Sequence, residues 1–256
     1  MQVKKKFNGL ILAVMCLLLN ACVAPEKMSR SMSDEEKANL YLQMGVRYLE
    51  MNMLKIAQEK LNIALSFNPE DAELQNALGV MHERLQQNTA AGQHYKKAVK
   101  INADDFRIKN NYGRFLCESG KYLEGIRLLK QALAMPLNNR KWFAYTNIGR
   151  CELKNAKPAL AETNFRLALQ KNTRYAPALA EMQRISYNKG QFLSARAFLE
   201  RYLGVAKHTS ETLWYAVQTE RGLGNKALVE QYRERLFGFF PASSEAQQLK
   251  TAIKLY

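Results

Sequence analysis

The chain has 256 residues, 47% of them apolar and 24% charged, with 38 lysines and arginines against 23 aspartates and glutamates. That composition supplies an ordinary packed core, and with only 13 glycines and 6 prolines it excludes a collagen-like or low-complexity chain. The formal charge of +15 is spread along the sequence rather than gathered with stacking aromatics, which argues against a nucleic-acid surface.

The first segment reads as a targeting signal. Lys4, Lys5 and Lys6 precede an apolar run from Leu10 to Leu19 that is too short for a stable bilayer span. The run ends in Leu19-Asn20-Ala21-Cys22, the apolar-x-small-Cys arrangement of a lipoprotein cleavage site. Residues 1–21 are therefore expected to be a signal peptide, with Cys22 diacylated as the mature N-terminus. Val23 stands where an inner-membrane retention signal would have Asp, so the expected address is the periplasmic face of a Gram-negative outer membrane. Losing the three lysines lowers the charge from +15 to +12, which favours some attraction to anionic lipid or an acidic partner. Residues 22–33 are short, polar and Pro-containing, as a tether would be.

From Ser33 onward the pattern is helical. Ser33 and Glu36 have the spacing of a capping box, and residues 34–256 form the expected folded domain. Between Ala38 and Asp71 the order Met44-Gly45, Tyr48, Ala57, Leu61, Ala64, Pro69 appears. It places small residues where two antiparallel helices cross, bulky ones around the crossing, and a proline that stops the second helix. This is the tetratricopeptide (TPR) pattern. It returns at 72–105 with Leu78-Gly79, Ala91 and Ala98, and at 106–139 with Tyr112-Gly113, Gly125 and Ala132. A fourth copy, 142–175, follows two extra residues near Pro136 to Asn139 and carries Ile148-Gly149, Ala161 and Ala168. Copies at 176–209 and 210–243 are weaker, with Gln183 at the glycine position of the fifth, and 244–256 reads as a capping helix. The fold class is thus an all-α superhelical solenoid of six repeats.

No motif calls for catalysis. His82, His94 and His208 lack partners at metal-ligand spacing, and after His82-Glu83 it is Gln86 that stands where a zinc-protease helix needs its second His. The Gly222 to Ala227 string matches G-x-G-x-x-A without a preceding strand, so it makes no dinucleotide site. Asp104-Asp105 sits at a repeat boundary and reads as a helix cap. We expect no enzyme activity, no metal, no cofactor and a monomer. Cys117 and Cys151 are the two cysteines of the domain, late in the first helices of adjacent repeats, and the spacing leaves open both a disulfide and two separately packed thiols.

The first helix of each repeat is expected to line a concave groove. In the first repeat that would expose Asn39, Leu42, Val46 and Leu49, an apolar patch suited to a partner, so that Leu42→Arg should abolish binding without unfolding the domain. Asn76, Val80, Asn110 and Arg114 follow, the amides suited to a peptide backbone, and then Phe143, Thr146, Arg150, Arg184, Tyr187 and Trp214.

Taken with the lipobox, tether and repeats, three strings resemble the type IV pilus biogenesis/stability lipoproteins, the PilF/PilW pilotin family. They are Asn110-Asn111-Tyr112-Gly113-Arg114-Phe115-Leu116-Cys117, Asn147-Ile148-Gly149-Arg150-Cys151, and Phe240-Pro241-Ala242-Ser243-Ser244-Glu245. The segment around Pro136 departs from that family's tyrosine-proline turn. The resemblance implies a pilotin or assembly factor for the outer-membrane secretin through which the pilus passes. The alternative class is a TPR scaffold lipoprotein of another envelope machine, for outer-membrane protein insertion or peptidoglycan synthesis.

Overall fold

A computed structural model describes residues 32–254. The signal sequence, Cys22 and the tether up to residue 31 lie outside the described residues, as does Tyr256. Thirteen α-helices and no strand occur among the described residues. They run α1 Asp34–Glu50, α2 Leu54–Phe67, α3 Ala72–Arg84, α4 Asn88–Ile101, α5 Phe106–Glu118, α6 Tyr122–Ala134 and α7 Lys141–Lys154. The rest are α8 Pro158–Lys171, α9 Ala176–Asn188, α10 Phe192–Leu203, α11 Ser210–Gly222, α12 Lys226–Phe239 and α13 Ser244–Lys254.

Each odd helix packs antiparallel on the even helix that follows it. Odd helices also touch the next odd helix, at α1–α3, α3–α5, α5–α7 and α9–α11, whereas even helices do not touch one another comparably. The odd helices therefore lie on the inside of the curvature.

The two edges of the stack are closed by different devices. On the edge where odd helices begin, side chains cap the first turn: Ser33 and Thr209 form capping boxes, and Asp71 and Asp105 accept backbone N–H groups. The same edge carries an asparagine after each of the first four even helices. Asn68, Asn102, Asn138 and Asn172 each accept from the backbone N–H two residues on. Their spacing places the two extra residues of the long loop at 135–137, before Asn138. Asn138 is buried and also donates from Nδ2 to the Ala132 carbonyl at 2.8 Å. On the opposite edge each of the first six odd helices ends through one left-handed residue: Asn52, Gln86, Gly120, Ala156, Gly190 or Gly224.

Glycine sets the closeness of the hairpins. A Cβ on Gly45 would meet Leu61 at 2.5 Å, on Gly79 the Tyr95 ring at 2.7 Å, and on Gly149 the Phe165 ring at 2.7 Å. In the third repeat a second glycine, Gly125, replaces the alanine of repeats one, two, four and five. Cys117 and Cys151 are joined there as a disulfide with Cα atoms 5.3 Å apart, tying α5 to α7. A Cβ on Gly125 would lie 2.5 Å from the Cys117 sulfur and 2.6 Å from the Gly113 carbonyl oxygen, so the cystine and the close α5 backbone together take the space an alanine would fill.

The apolar face read for the first repeat is corrected. Leu42 and Leu49 are buried, 7% and 4% exposed, in one cluster with Leu61, Leu74, Leu78 and Met81, and Val46 packs on that cluster. The reason is the odd-to-odd packing: α1 meets α3 as well as α2, so its apolar stripe must be wider than a hairpin alone demands. Leu42→Arg would put a charge into a core, so it is a stability mutation. At the other end, Ala246 and Leu249 of α13 pack with Leu213, Val217 and Leu236.

Candidate functional site: the inner face of α3 to α11

Along the inner face the side chains are organised in layers, repeat against repeat. Asn111 Nδ2 donates to Asn76 Oδ1 at 3.1 Å, and Asn147 Nδ2 donates to Asn110 Oδ1 at 3.1 Å. Two asparagines predicted as peptide binders, Asn76 and Asn110, are thus half-buried acceptors of cross-repeat bonds. Each keeps its own NH2 without a protein partner among the described residues. Val80 is half-buried and packs between the Leu42 and Tyr95 clusters.

Arg114 faces the groove but is already engaged. Its two terminal nitrogens grip Glu83 at 2.6 and 2.7 Å, and the buried Tyr95 hydroxyl donates to the same carboxylate at 2.8 Å. Burial works against the Arg114 charge, yet its hydrogen bonds and attraction to Glu83 outweigh this and raise its pKa. Burial, together with the Glu83 charge, pushes the Tyr95 hydroxyl far up, so it stays protonated and a donor.

Further along, Arg150 Nε and Arg184 Nη2 share Glu181 at 2.8 and 2.5 Å. The two arginines predicted for the later repeats are therefore engaged within the chain, sharing one carboxylate between them. Thr146 is buried, 1% exposed, and does not reach the groove surface. Beyond the arginines stands an aromatic group: Tyr187 lies 6.0 Å from Trp214 and 5.4 Å from Tyr215, edge-on to both.

Near the start of α5 and α7 the inner face opens into a cavity of about 160 Å³. It is lined by Phe106, Arg107, Asn110, Asn111, Asn138, Arg140, Phe143 and Ala144. Sequence reading had Phe143 and Asn110 on this face but missed Phe106, Arg140 and the partner amides Asn111 and Asn147. A signal existed: Asn76 and Asn110 are one repeat apart, as are Asn111 and Asn147, at adjacent positions of the repeat. Among the described residues no group of three or more Cys, His, Asp or Glu could hold a metal. His82 instead stacks on His94, with centroids 5.0 Å apart.

This arrangement offers amides, aromatic rings and paired charges to another polypeptide. A tetratricopeptide-repeat family model matches residues 42–106. Over 235 residues the chain is 25% identical to the type IV pilus assembly protein PilF of Pseudomonas aeruginosa, spanning 91% of this chain and 93% of that one. The solved structure of P. aeruginosa PilF superposes with a TM-score of 0.73 at 25% identity, over 86% of this chain and 99% of that one. That of PilW, a widely conserved type IV pilus biogenesis factor, gives 0.73 at 26% identity, over 83% and 97%. The chain is a tetratricopeptide-repeat solenoid homologous to PilF and PilW.

Proposed function

We propose that the protein is a type IV pilus biogenesis factor that works by binding rather than by catalysis. In this reading it is acylated at Cys22, held at the periplasmic face of the outer membrane, and grips a secretin subunit through its inner face so that secretin multimers assemble or reach that membrane. The observation that carries it is the extent of the match to PilF, which spans 91% of this chain and 93% of that one. A solenoid of stacked repeats offers a long inner face for a partner segment. The acyl chains would supply the address and the repeats the grip.

The test is an immunoblot for heat- and SDS-resistant secretin multimers in fractionated membranes of wild-type, deletion and Cys22→Ala cells. The reading expects multimers lost or misplaced in the deletion and a partial defect in Cys22→Ala. Normal outer-membrane multimers in the deletion strain would remove secretin assembly from the account.

A further inference from the structure

The cavity between α5 and α7 lies where the array is irregular. In a strict 34-residue period the loop after α6 would be two residues shorter. The added residues swing the chain through Pro136 and Leu137, and Asn138 then pins it back by its bonds to the Ala132 carbonyl and the Arg140 N–H. This sets the exposed Arg140 at the cavity, which Phe106 and Phe143 also line. At about 160 Å³ the space matches one benzene-sized ring, since an apolar cavity of about 150 Å³ holds benzene.

The polar groups at the cavity are of two kinds. Arg107 is already matched, bonded to Asp105 at 2.7 Å with Glu73 at 3.8 Å. Arg140 and the adjacent Lys141 make no ion pair among the described residues, whereas Arg107, Arg114, Arg150 and Arg184 each touch a carboxylate. Inside, Asn110 keeps its NH2 and Asn111 its carbonyl oxygen free of protein partners among the described residues, because each spends its other atom on a cross-repeat bond. Together they leave one donor and one acceptor free at the cavity lining.

We infer that this cavity is a subsite for a partner protein's extended segment, in which one aromatic side chain enters between Phe106 and Phe143 and a flanking carboxylate meets Arg140. Ring size, the paired amide donor and acceptor, and the unmatched positive rim select that chemistry together; a purely apolar or basic segment satisfies only part of it. The inference rests on reading the inner face as the partner-facing surface. It is tested on purified protein, so its failure and a normal secretin blot are separate results.

The probe is a fluorescein-labelled, C-terminally amidated peptide, Gly-Ser-Asp-Phe-Asp-Ser-Gly, titrated by fluorescence polarisation with the full-length chain in mild detergent. Saturable binding is expected, weakened about tenfold or more by Phe143→Ala, by Arg140→Glu, and by replacing the peptide's phenylalanine with alanine. Phe143 and Arg140 are both exposed, so these variants should keep wild-type circular dichroism. Lys121→Glu makes the same charge change on the opposite edge and should leave binding unchanged. Absence of saturable binding would overturn the subsite. So would equal binding of the alanine peptide, or an equal loss in Lys121→Glu, which would reduce the effect to attraction by net charge.

Discussion

Repeats one to three and repeats five and six share one hairpin plan but hold it together differently. In the first group, glycine lets the helices close on Leu61, Tyr95 or Leu129, and no buried side-chain polar atom is left without a partner among the described residues. In the second, Gln183 and Val217 occupy the glycine position, and polar contacts tie the fifth repeat to the sixth. Gln183 donates across to the Thr212 carbonyl at 3.1 Å, and Arg196 of α10 pairs with Glu220 of α11, which is fully buried. That polar solution is incomplete. Gln183 Oε1, Thr219 Oγ1 and both His208 ring nitrogens are buried without partners, each at a typical cost of about 1–3 kcal/mol. A solenoid's stability is close to a sum over repeats and their interfaces, so the difference should appear as a graded molecule whose last two repeats open first.

The largest effect expected is at Arg196→Ala. It leaves the Glu220 carboxylate buried and uncompensated, which costs about 3–5 kcal/mol. Trp142 lies in the fourth repeat and Trp214 in the sixth, so single-tryptophan variants report the two regions separately in urea. The Trp214 transition should move to lower urea while that of Trp142 moves little. Coincident shifts would show that the six repeats unfold as one unit and that the grading does not exist. Replacing both partners, as Arg196→Met with Glu220→Leu, should restore most of the loss, because no unpaired charge then remains.

Next in size is the first repeat. Leu42→Ala should cost about 2–4 kcal/mol, the usual range for a buried leucine with partial collapse of the cavity. Leu42→Arg should unfold the first repeat, seen as loss of hydrogen-exchange protection across α1 and α2. If Leu42→Arg instead kept full protection and lost partner binding, the side chain would face the groove.

This residue also shows what the sequence could convey. The hairpin period was legible because it is local: glycine, alanine and proline punctuate each repeat for steric reasons that need no neighbour. The orientation of Leu42 and Leu49 was not, because it depends on how far α1 leans onto α3, a contact between residues more than thirty apart. The same limit hid the groove's charge state. Arg114, Arg150 and Arg184 read as free cations until Glu83 and Glu181, from helices a repeat away or a turn apart, are seen to hold them. Gly125 stands where Ala57 and Ala91 stand in the first two repeats, and the Cys117 sulfur and the Gly113 carbonyl explain it, neither visible in the period.

A smaller effect, present in both regions, should follow pH. His94 in the second repeat has its pKa lowered by burial, then by His82 and Lys97, with Gln75 its neutral hydrogen-bond partner. His208 in the fifth is lowered by burial, then by Arg235, and lies edge-on to Tyr232. For a base with a depressed native pKa the unfolded chain binds the proton first. Their contributions are therefore complete above the unfolded value of 6.5 and decline as pH falls through it. Melting temperature should drop between pH 7.5 and 5.5, and His94→Gln should shrink that drop. An unchanged drop in both His94→Gln and His208→Gln would place the proton uptake elsewhere.

The smallest expected effect, and a gain, lies at the turn between α7 and α8. Ala156 has φ +55°, while Gly120, Gly190 and Gly224 hold the equivalent turns of repeats three, five and six at +70° to +79°. An alanine Cβ in the left-handed region clashes with its own backbone, whereas glycine enters freely but loses more entropy on folding. The steric term wins, so Ala156→Gly should stabilise by about 0.5–1 kcal/mol, and Gly190→Ala should destabilise by a similar amount. Because the fourth repeat stands between the glycine-packed and polar-packed regions, the gain should be read by Trp142 and not by Trp214. A gain shared equally by both tryptophans would mean that the fourth repeat couples the two regions more tightly than their different packing implies.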